Sequence, residues 1–287
     1  MKRIFVIALS FVSTASFAQD VMELNRFFKK GEFEFNSKFS HEKYDFRDEN
    51  SGPRTYVRSD VLTNKLTYGL SDKTRVGLSH EIATDRSAKT SGVRSTELGP
   101  NDLKVLAEHR IFDDSKTVID FFGGFQLSTE KKQNTNHSNF RDGHSILNLG
   151  AAWGQVLGKN EWRMSGDLLY HFYGKEMGQN TNPYATFFLD TKYQYRPHNK
   201  LAVGLGMDWE YLGEITTKTP SGRKVQDTDS ILAFSAFAKY EVYQNIALEG
   251  GYRIQMRYEL DSENMGNKTT DKYREGSTCY VATTIKF

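Results

Sequence analysis

The segment Leu201-Ala-Val-Gly-Leu-Gly-Met-Asp-Trp-Glu-Tyr211 puts a large apolar side chain at every second position, with small or charged groups between. Successive side chains of a β-strand point to opposite faces, so this stretch has one apolar face and one polar face. Its length suits a tilted strand crossing a bilayer, which takes about 9–11 residues. The alternation recurs with Phe121, Phe125 and Leu127, with Leu147, Leu149 and Trp153, and with Trp162, Met164, Leu168 and Tyr170. It returns with Phe187, Leu189, Tyr193 and Tyr195, and with Leu248, Tyr252, Ile254 and Met256. Only 38% of the chain is apolar, and no segment past the N-terminus approaches the roughly 20 apolar residues of a spanning helix. A chain of this kind either folds in water or crosses a membrane by alternation.

The connections favour the membrane. Short polar turns fall at Ser71-Asp72-Lys73, Asp113–Lys116, Gly158-Lys159-Asn160, Pro197-His198-Asn199 and Gln244-Asn245. Between them lie longer stretches rich in Asn, Ser, Thr, Gly and charge, near 47–55, 86–98, 130–143, 174–183, 215–229 and 261–272. Strict alternation of short turns with long loops is the arrangement of outer-membrane barrels. The pattern predicts an all-β fold, a transmembrane antiparallel up-and-down β-barrel of about twelve strands, with ten and fourteen as the alternative counts. The strands are expected near 31–46, 56–70, 74–85, 101–112, 117–129, 144–157, 161–173, 184–196, 200–214, 229–242, 245–260 and 273–287. A propeller has a similar repeat length but fits four short strands into each period, where two long ones fill it here.

The N-terminus points to export. Lys2 and Arg3 precede the apolar run Ile4–Val12 and the small-residue stretch Ser13–Ala18, which reads as a signal peptide over 1–18 with cleavage after Ala18. Its removal takes the formal balance from 38 basic and 36 acidic side chains to 36 of each. A neutral chain lacks the electrostatic footprint of a phosphate-backbone binder, which excludes nucleic acid as a partner. Residues 19–30 then precede the barrel, at 31–287, either as an ordinary leader or as a segment held at the periplasmic mouth or plugging it. Cys279 is the sole cysteine, so there is no internal disulfide, and its thiol is expected to be buried or lipid-facing.

The chain ends Tyr280-Val-Ala-Thr-Thr-Ile-Lys-Phe287, an alternating strand with an aromatic last residue. This resembles the C-terminal signature by which the barrel-assembly machinery recognises its clients. Further upstream, Tyr68-Gly-Leu-Ser-Asp72 followed by Arg75-Val-Gly-Leu78, and Gly99-Pro-Asn-Asp-Leu103 leading to His109-Arg-Ile-Phe112, carry a second resemblance. With Gly123-Gly-Phe-Gln-Leu127 and Gly166-Asp-Leu-Leu-Tyr170, the stretch 68–215 is similar to the outer-membrane transporter family labelled with the MetA-pathway of phenol degradation. These motifs are turn and strand punctuation and carry no catalytic residue. The resemblance implies passage of small, hydrophobic solutes through a barrel in contact with outer-membrane lipid.

Chemistry is sought in three places. A wall hydrolase could draw on His144-Ser145 with Asn148, or on His137-Ser138; neighbours on one strand face opposite ways, so His144 and Ser145 cannot act as base and nucleophile, and His137-Ser138 lies in an Asn-rich loop with no orienting third group. Asp261, Glu263 and Asp271 have no defensible calcium spacing, so no metal or other cofactor is expected. The lumen face remains. Its basic candidates are Arg75, Lys104, Arg163, Lys192, Arg253 and Arg257, and its acidic ones Glu108, Asp120, Asp167, Asp190, Asp208, Glu210 and Glu249. The signs nearly cancel, which fits paired charges around a narrow path as well as an open channel. Arg253 and Arg257 are expected to pair with Glu249 and Glu210. Gly204 and Gly206 are expected to make room for bulky lumen neighbours. The function expected is a channel or transporter for small solutes, and not an enzyme; a structural barrel binding a partner through its loops is the alternative.

Overall fold

A computed structural model describes residues 24–27, 29–48, 54–90, 93–127, 145–176, 179–219, 222–257, 260–264 and 267–287, with only the backbone course given at several outer strand ends. The expected signal peptide and the His137-Ser138 and His144 candidates lie outside these residues.

Twelve long strands form the wall. In chain order they are β1 (Phe33–Asp48), β2 (Arg54–Ser71), β3 (Thr74–Thr90), β4 (Val93–Asp113), β5 (Thr117–Leu127), β6 (Ile146–Leu157) and β7 (Asn160–His171). Past the short pieces β8 (Gly174–Glu176) and β9 (Gln179–Thr181) come β10 (Tyr184–His198) and β11 (Leu201–Leu212). After β12 (Ile215–Thr219) and β13 (Gly222–Gln226) follow β14 (Asp229–Tyr243) and β15 (Ile246–Arg257), then β16 (Leu260–Asn264) and β17 (Asn267–Lys286). Each long strand pairs antiparallel with the next, and β1 pairs with both β2 and β17, so the sheet closes on itself. Closure leaves no unpaired edge around the cylinder, which is what allows a sheet to sit in lipid. Phe33 and Phe287 exchange backbone hydrogen bonds of 3.2 and 2.9 Å, so the terminal aromatic finishes the seam.

All five short turns lie at the same end as this seam. At the β4–β5 turn the Asp114 carboxylate accepts the amides of Lys116 (3.1 Å) and Thr117 (2.6 Å), and these bonds hold its pKa below the ordinary carboxylate range. At the β10–β11 turn the strand continues through Pro197 and His198 before turning, because a bulge between Tyr195 and His198 absorbs the extra residues.

The opposite end departs from expectation. Much of 86–98, 174–183, 215–229 and 261–272 is strand, not loop: β3 runs to Thr90, β4 starts at Val93 and β17 starts at Asn267. Among these outer pieces β9 pairs with β12, β13 with β16, and β16 with β17, which raises the wall on that side. Both faces of such a ribbon meet water, so it needs no apolar alternation and leaves no periodic signal in the sequence.

Outward side chains form an apolar surface around the barrel, broken by polar rows beside the β1–β2–β17 seam. Exposed large hydrophobic residues occur on every one of the twelve wall strands, among them Phe39, Leu66, Leu78, Val105, Phe121, Leu149, Met164, Phe187, Leu205, Phe234, Ile254 and Val281. Aromatics gather near the turn end, where Phe33 packs against Tyr68 (4.5 Å between ring centroids) and Trp162 against Tyr193 (4.7 Å) at tilted angles, as in an interfacial girdle. Leu205, 61% exposed near mid-strand on β11, tests this surface. Leu205→Arg is expected to lower stability in lipid vesicles by about 2–4 kcal/mol, the cost of a cation at bilayer mid-depth. Urea titration followed by Trp fluorescence measures it, and a loss below about half a kcal/mol, normal for a water-facing site, would show that Leu205 does not face lipid.

Candidate functional site

The lumen is organised into two unlike halves. On the β3–β7 side a chain of alternating charges runs across the wall. Arg75 Nε donates to Glu108 (2.8 Å), Arg163 bridges Glu108 (3.0 Å) and Asp120 (2.8 Å), and Arg110 Nε reaches the other oxygen of Asp120 (2.8 Å). Asp120 is fully buried between its two guanidinium partners. Arg163 on β7 reaches Asp120 on β5 because the intervening β6 presents only Ala152 and Gly154 to the lumen at that level. Low-dielectric surroundings make such a network strong when every member is satisfied. Four of the sequence candidates, Arg75, Glu108, Asp120 and Arg163, therefore meet in one array, and Arg110 completes it. Lys104 lies 3.5 Å from Glu81 on the neighbouring strand, and Asp167 accepts a hydrogen bond from Asn148. Asn148 thus belongs to lumen structure.

The other half, built by β10, β11, β14, β15, β17 and β1, encloses a cavity of about 560 Å³. Its charged lining comprises Lys38, Lys192, Lys239 and Arg253 against Glu42, Asp190, Asp208 and Glu249, with Phe188, Phe237 and Tyr280 among them. Lys192 pairs with Asp190 at 2.7 Å. Arg253 pairs with Asp208 and not with Glu249; Glu249 instead accepts the Tyr280 hydroxyl at 2.8 Å. The reason lies on β14, which stands between β11 and β15 and turns small Ala233 and Ser235 inward, so the Arg253 side chain crosses over it. Glu210 lies on the same face of β11 as Asp208, and the Arg257 side chain is outside the described atoms. At Gly204 a Cβ would stand 2.2 Å from the Phe237 ring, its direct cross-strand neighbour, so this glycine is what admits the ring to the lumen. Gly206 faces Ser235, which is not bulky.

Residues 24–27 occupy the turn end of the lumen. The buried Glu161 carboxylate accepts the amides of Leu24 (2.7 Å) and Asn25 (3.2 Å), and Arg196 lies 2.8 Å from its other oxygen. Asn25 Nδ2 donates to the Trp162 carbonyl (2.8 Å), and Arg110 donates to the Asn25 carbonyl (2.9 Å). Arg26 is buried and paired with Glu34 (2.7 Å), while the Phe27 ring lies under the guanidinium groups of Arg110 (4.6 Å) and Arg75 (5.2 Å). Leu24 is part of the cavity lining, so the segment forms the floor of that space. Glu161, Tyr280 and Asn25 were absent from the sequence candidates. Glu161 carried a usable signal: an acid on the inward parity of a strand, one position before an interfacial tryptophan.

Residues 23–259 match the family model described as "Putative MetA-pathway of phenol degradation". The structure resembles an outer-membrane channel from Pseudomonas putida F1, with a TM-score of 0.66 at 13% identity over 93% of this chain and 100% of that one. It also resembles the translocator domain of the autotransporter NalP from Neisseria meningitidis, with a TM-score of 0.52 at 12% identity over 100% of this chain and 96% of that one. No curated protein matches the sequence. At these identities the likeness is one of fold.

Proposed function

Because the chain belongs to the family described as "Putative MetA-pathway of phenol degradation", we propose that it is an outer-membrane channel for passive passage of small solutes, exported by its signal peptide. The observation that carries this reading is a closed barrel with an apolar exterior around a charged lumen that holds a cavity of about 560 Å³. The path runs along the cavity half, where the lumen opens to about 560 Å³, while an ion network crosses the β3–β7 half. Its residues bind, orient and admit solutes; no bond is made or broken there. Four basic and four acidic side chains line the cavity, so selectivity between small anions and cations is expected to be weak. The polar lining favours solutes with hydrogen-bonding groups, with Phe188, Phe237 and Tyr280 offering apolar contact to the rest. The last strand, finished by Phe287, is the element the barrel-assembly machinery would engage.

The N-terminal floor and the charge network also favour a second reading, an occluded scaffold that binds a surface partner through its raised outer wall. Swelling of liposomes that carry the full mature protein separates the two. A channel gives swelling rates graded by solute size; the scaffold gives rates equal to protein-free liposomes for every solute, which would overturn the proposal.

A further inference from the structure

The outer wall beside the seam carries titratable groups that lumen transport does not use. On β1 the odd-numbered side chains face outward, and the register with β2 and β17 sets them in rows across three strands. Phe39 stands between Leu62 and Val281, His41 between Asp60 and Cys279, and Lys43 between Arg58 and Ser277. His41 Nδ1 is hydrogen-bonded to the Asp60 carboxylate, which also accepts Arg58 at 3.1 Å. Asp60 is nearly buried and Cys279 is exposed. The two nitrogens of an imidazole point away from one another, so with Nδ1 engaged on the β2 side, Nε2 is free to serve the β17 side. Direct cross-strand partners keep their Cβ atoms about 4.5–5.5 Å apart, which puts the Cys279 thiol within side-chain reach of Nε2.

Depth supplies the second argument. Strands rise about 3.3 Å per residue and tilt about 40°, so the His41 row lies roughly 20 Å above Phe33 and the Lys43 row roughly 25 Å above it. The apolar band of such a barrel is about 25 Å tall. The sequence of rows upward, Phe39–Val281, then the thiol, imidazole and carboxylate, then Lys43 and Arg58, follows the strata of a lipid: acyl chain, ester, phosphate. Lower on the same face lies one polar row, Ser37, Asn64 and Thr283, satisfied in part by a 2.9 Å bond from Ser37 to Asn64. An ionisable pair turned toward lipid is costly without a role.

We propose that Cys279, His41 and Asp60 form an acyl-transfer site on the outer wall that acts on ester-linked acyl chains of anionic lipid. Lys43 and Arg58 hold the phosphate and place the ester carbonyl beside Sγ. The thiol attacks that carbonyl as His41 Nε2 takes its proton; the C–O bond then breaks, the proton passes to the departing lipid alcohol, and the acyl chain remains on Cys279 as a thioester. Water, activated by His41, attacks the thioester, releases the fatty acid and restores the thiol. Asp60 fixes the imidazole tautomer and its orientation, as a carboxylate does in a nucleophile–base–acid set.

The full mature protein, folded into phosphatidylglycerol vesicles, tests this by intact mass and by fatty-acid release. The expected result is a hydroxylamine-labile acyl adduct on Cys279 and slow release of fatty acid. Both are abolished in Cys279→Ala, and the release rate falls about 100-fold or more in His41→Gln, the usual cost of losing a general base. Cold-migration gel shifts establish that each variant is folded. Release that persists in Cys279→Ala, or no adduct and no release from the folded unsubstituted protein, overturns the proposal, as does lipid binding without turnover. Swelling assays on the same vesicles report the channel separately, so failure of one does not mimic failure of the other.

Discussion

Gly154→Leu is expected to raise conductance several-fold in planar bilayers while the barrel stays folded. A Cβ at this position would stand 1.9 Å from Asn25 Oδ1 and 2.7 Å from a methyl of Val118, so any larger side chain expels Asn25 from the β6 wall. Expulsion breaks the bonds that Asn25 makes to the Trp162 carbonyl and to Arg110, and with them the hold of Glu161 on the Leu24 and Asn25 amides. The leucine side chain enters space the segment has left, and the Val118 methyl must shift by several tenths of an ångström to admit its Cβ. Deletion of residues 19–27 should give the same conductance by a different route, and the two changes combined should add nothing. Conductance equal to that of the unsubstituted protein in both variants would show that residues 24–27 do not restrict the path.

Asp120→Ala is expected to lower stability in lipid vesicles by about 3 kcal/mol, because removing one member of a buried ionic set leaves its partners uncompensated. Arg110 and Arg163 both lean on this carboxylate from within 3 Å, and Asp120 has no exposure to water. The loss falls at the lower end of the usual range because Arg163 keeps Glu108 and Arg110 keeps Asp113 at 2.9 Å. Asp120→Asn preserves shape and one acceptor, so it should cost less. Since Arg110 also holds the Asn25 carbonyl, the alanine variant should gain conductance as it loses stability. Urea midpoints in vesicles provide the check; an Asp120→Ala midpoint equal to that of the unsubstituted protein would remove the network as a stabilising element.

Both experiments address features that differ in how visible they were beforehand. The parity of Arg75, Glu108, Asp120 and Arg163 placed them in the lumen from sequence, and the structure joins them. Arg253 was legible as a lumen residue, yet its partner was not, since Asp208 lies 45 residues away on a strand that is not its neighbour. What decides that pairing is the small size of Ala233 and Ser235 on β14. The wall row of His41, Asp60 and Cys279 was invisible for the same reason: β1 meets the last strand only through closure, across 238 residues for the His41–Cys279 pair. Alternation along a single strand carries no sign of it.

Alternation of side chains is local, a property of each strand's own backbone, and so the sequence alone determined the barrel, its wall strands short of their outer ends, its turn end and the inward parity of the charged groups. Partnership is not local. Which guanidinium meets which carboxylate, how far the outer strands continue into water, and that Leu24 to Phe27 turn back into the mouth were decided only when twelve strands closed into a ring, because closure fixes the register and sets side chains from distant segments at contact distance.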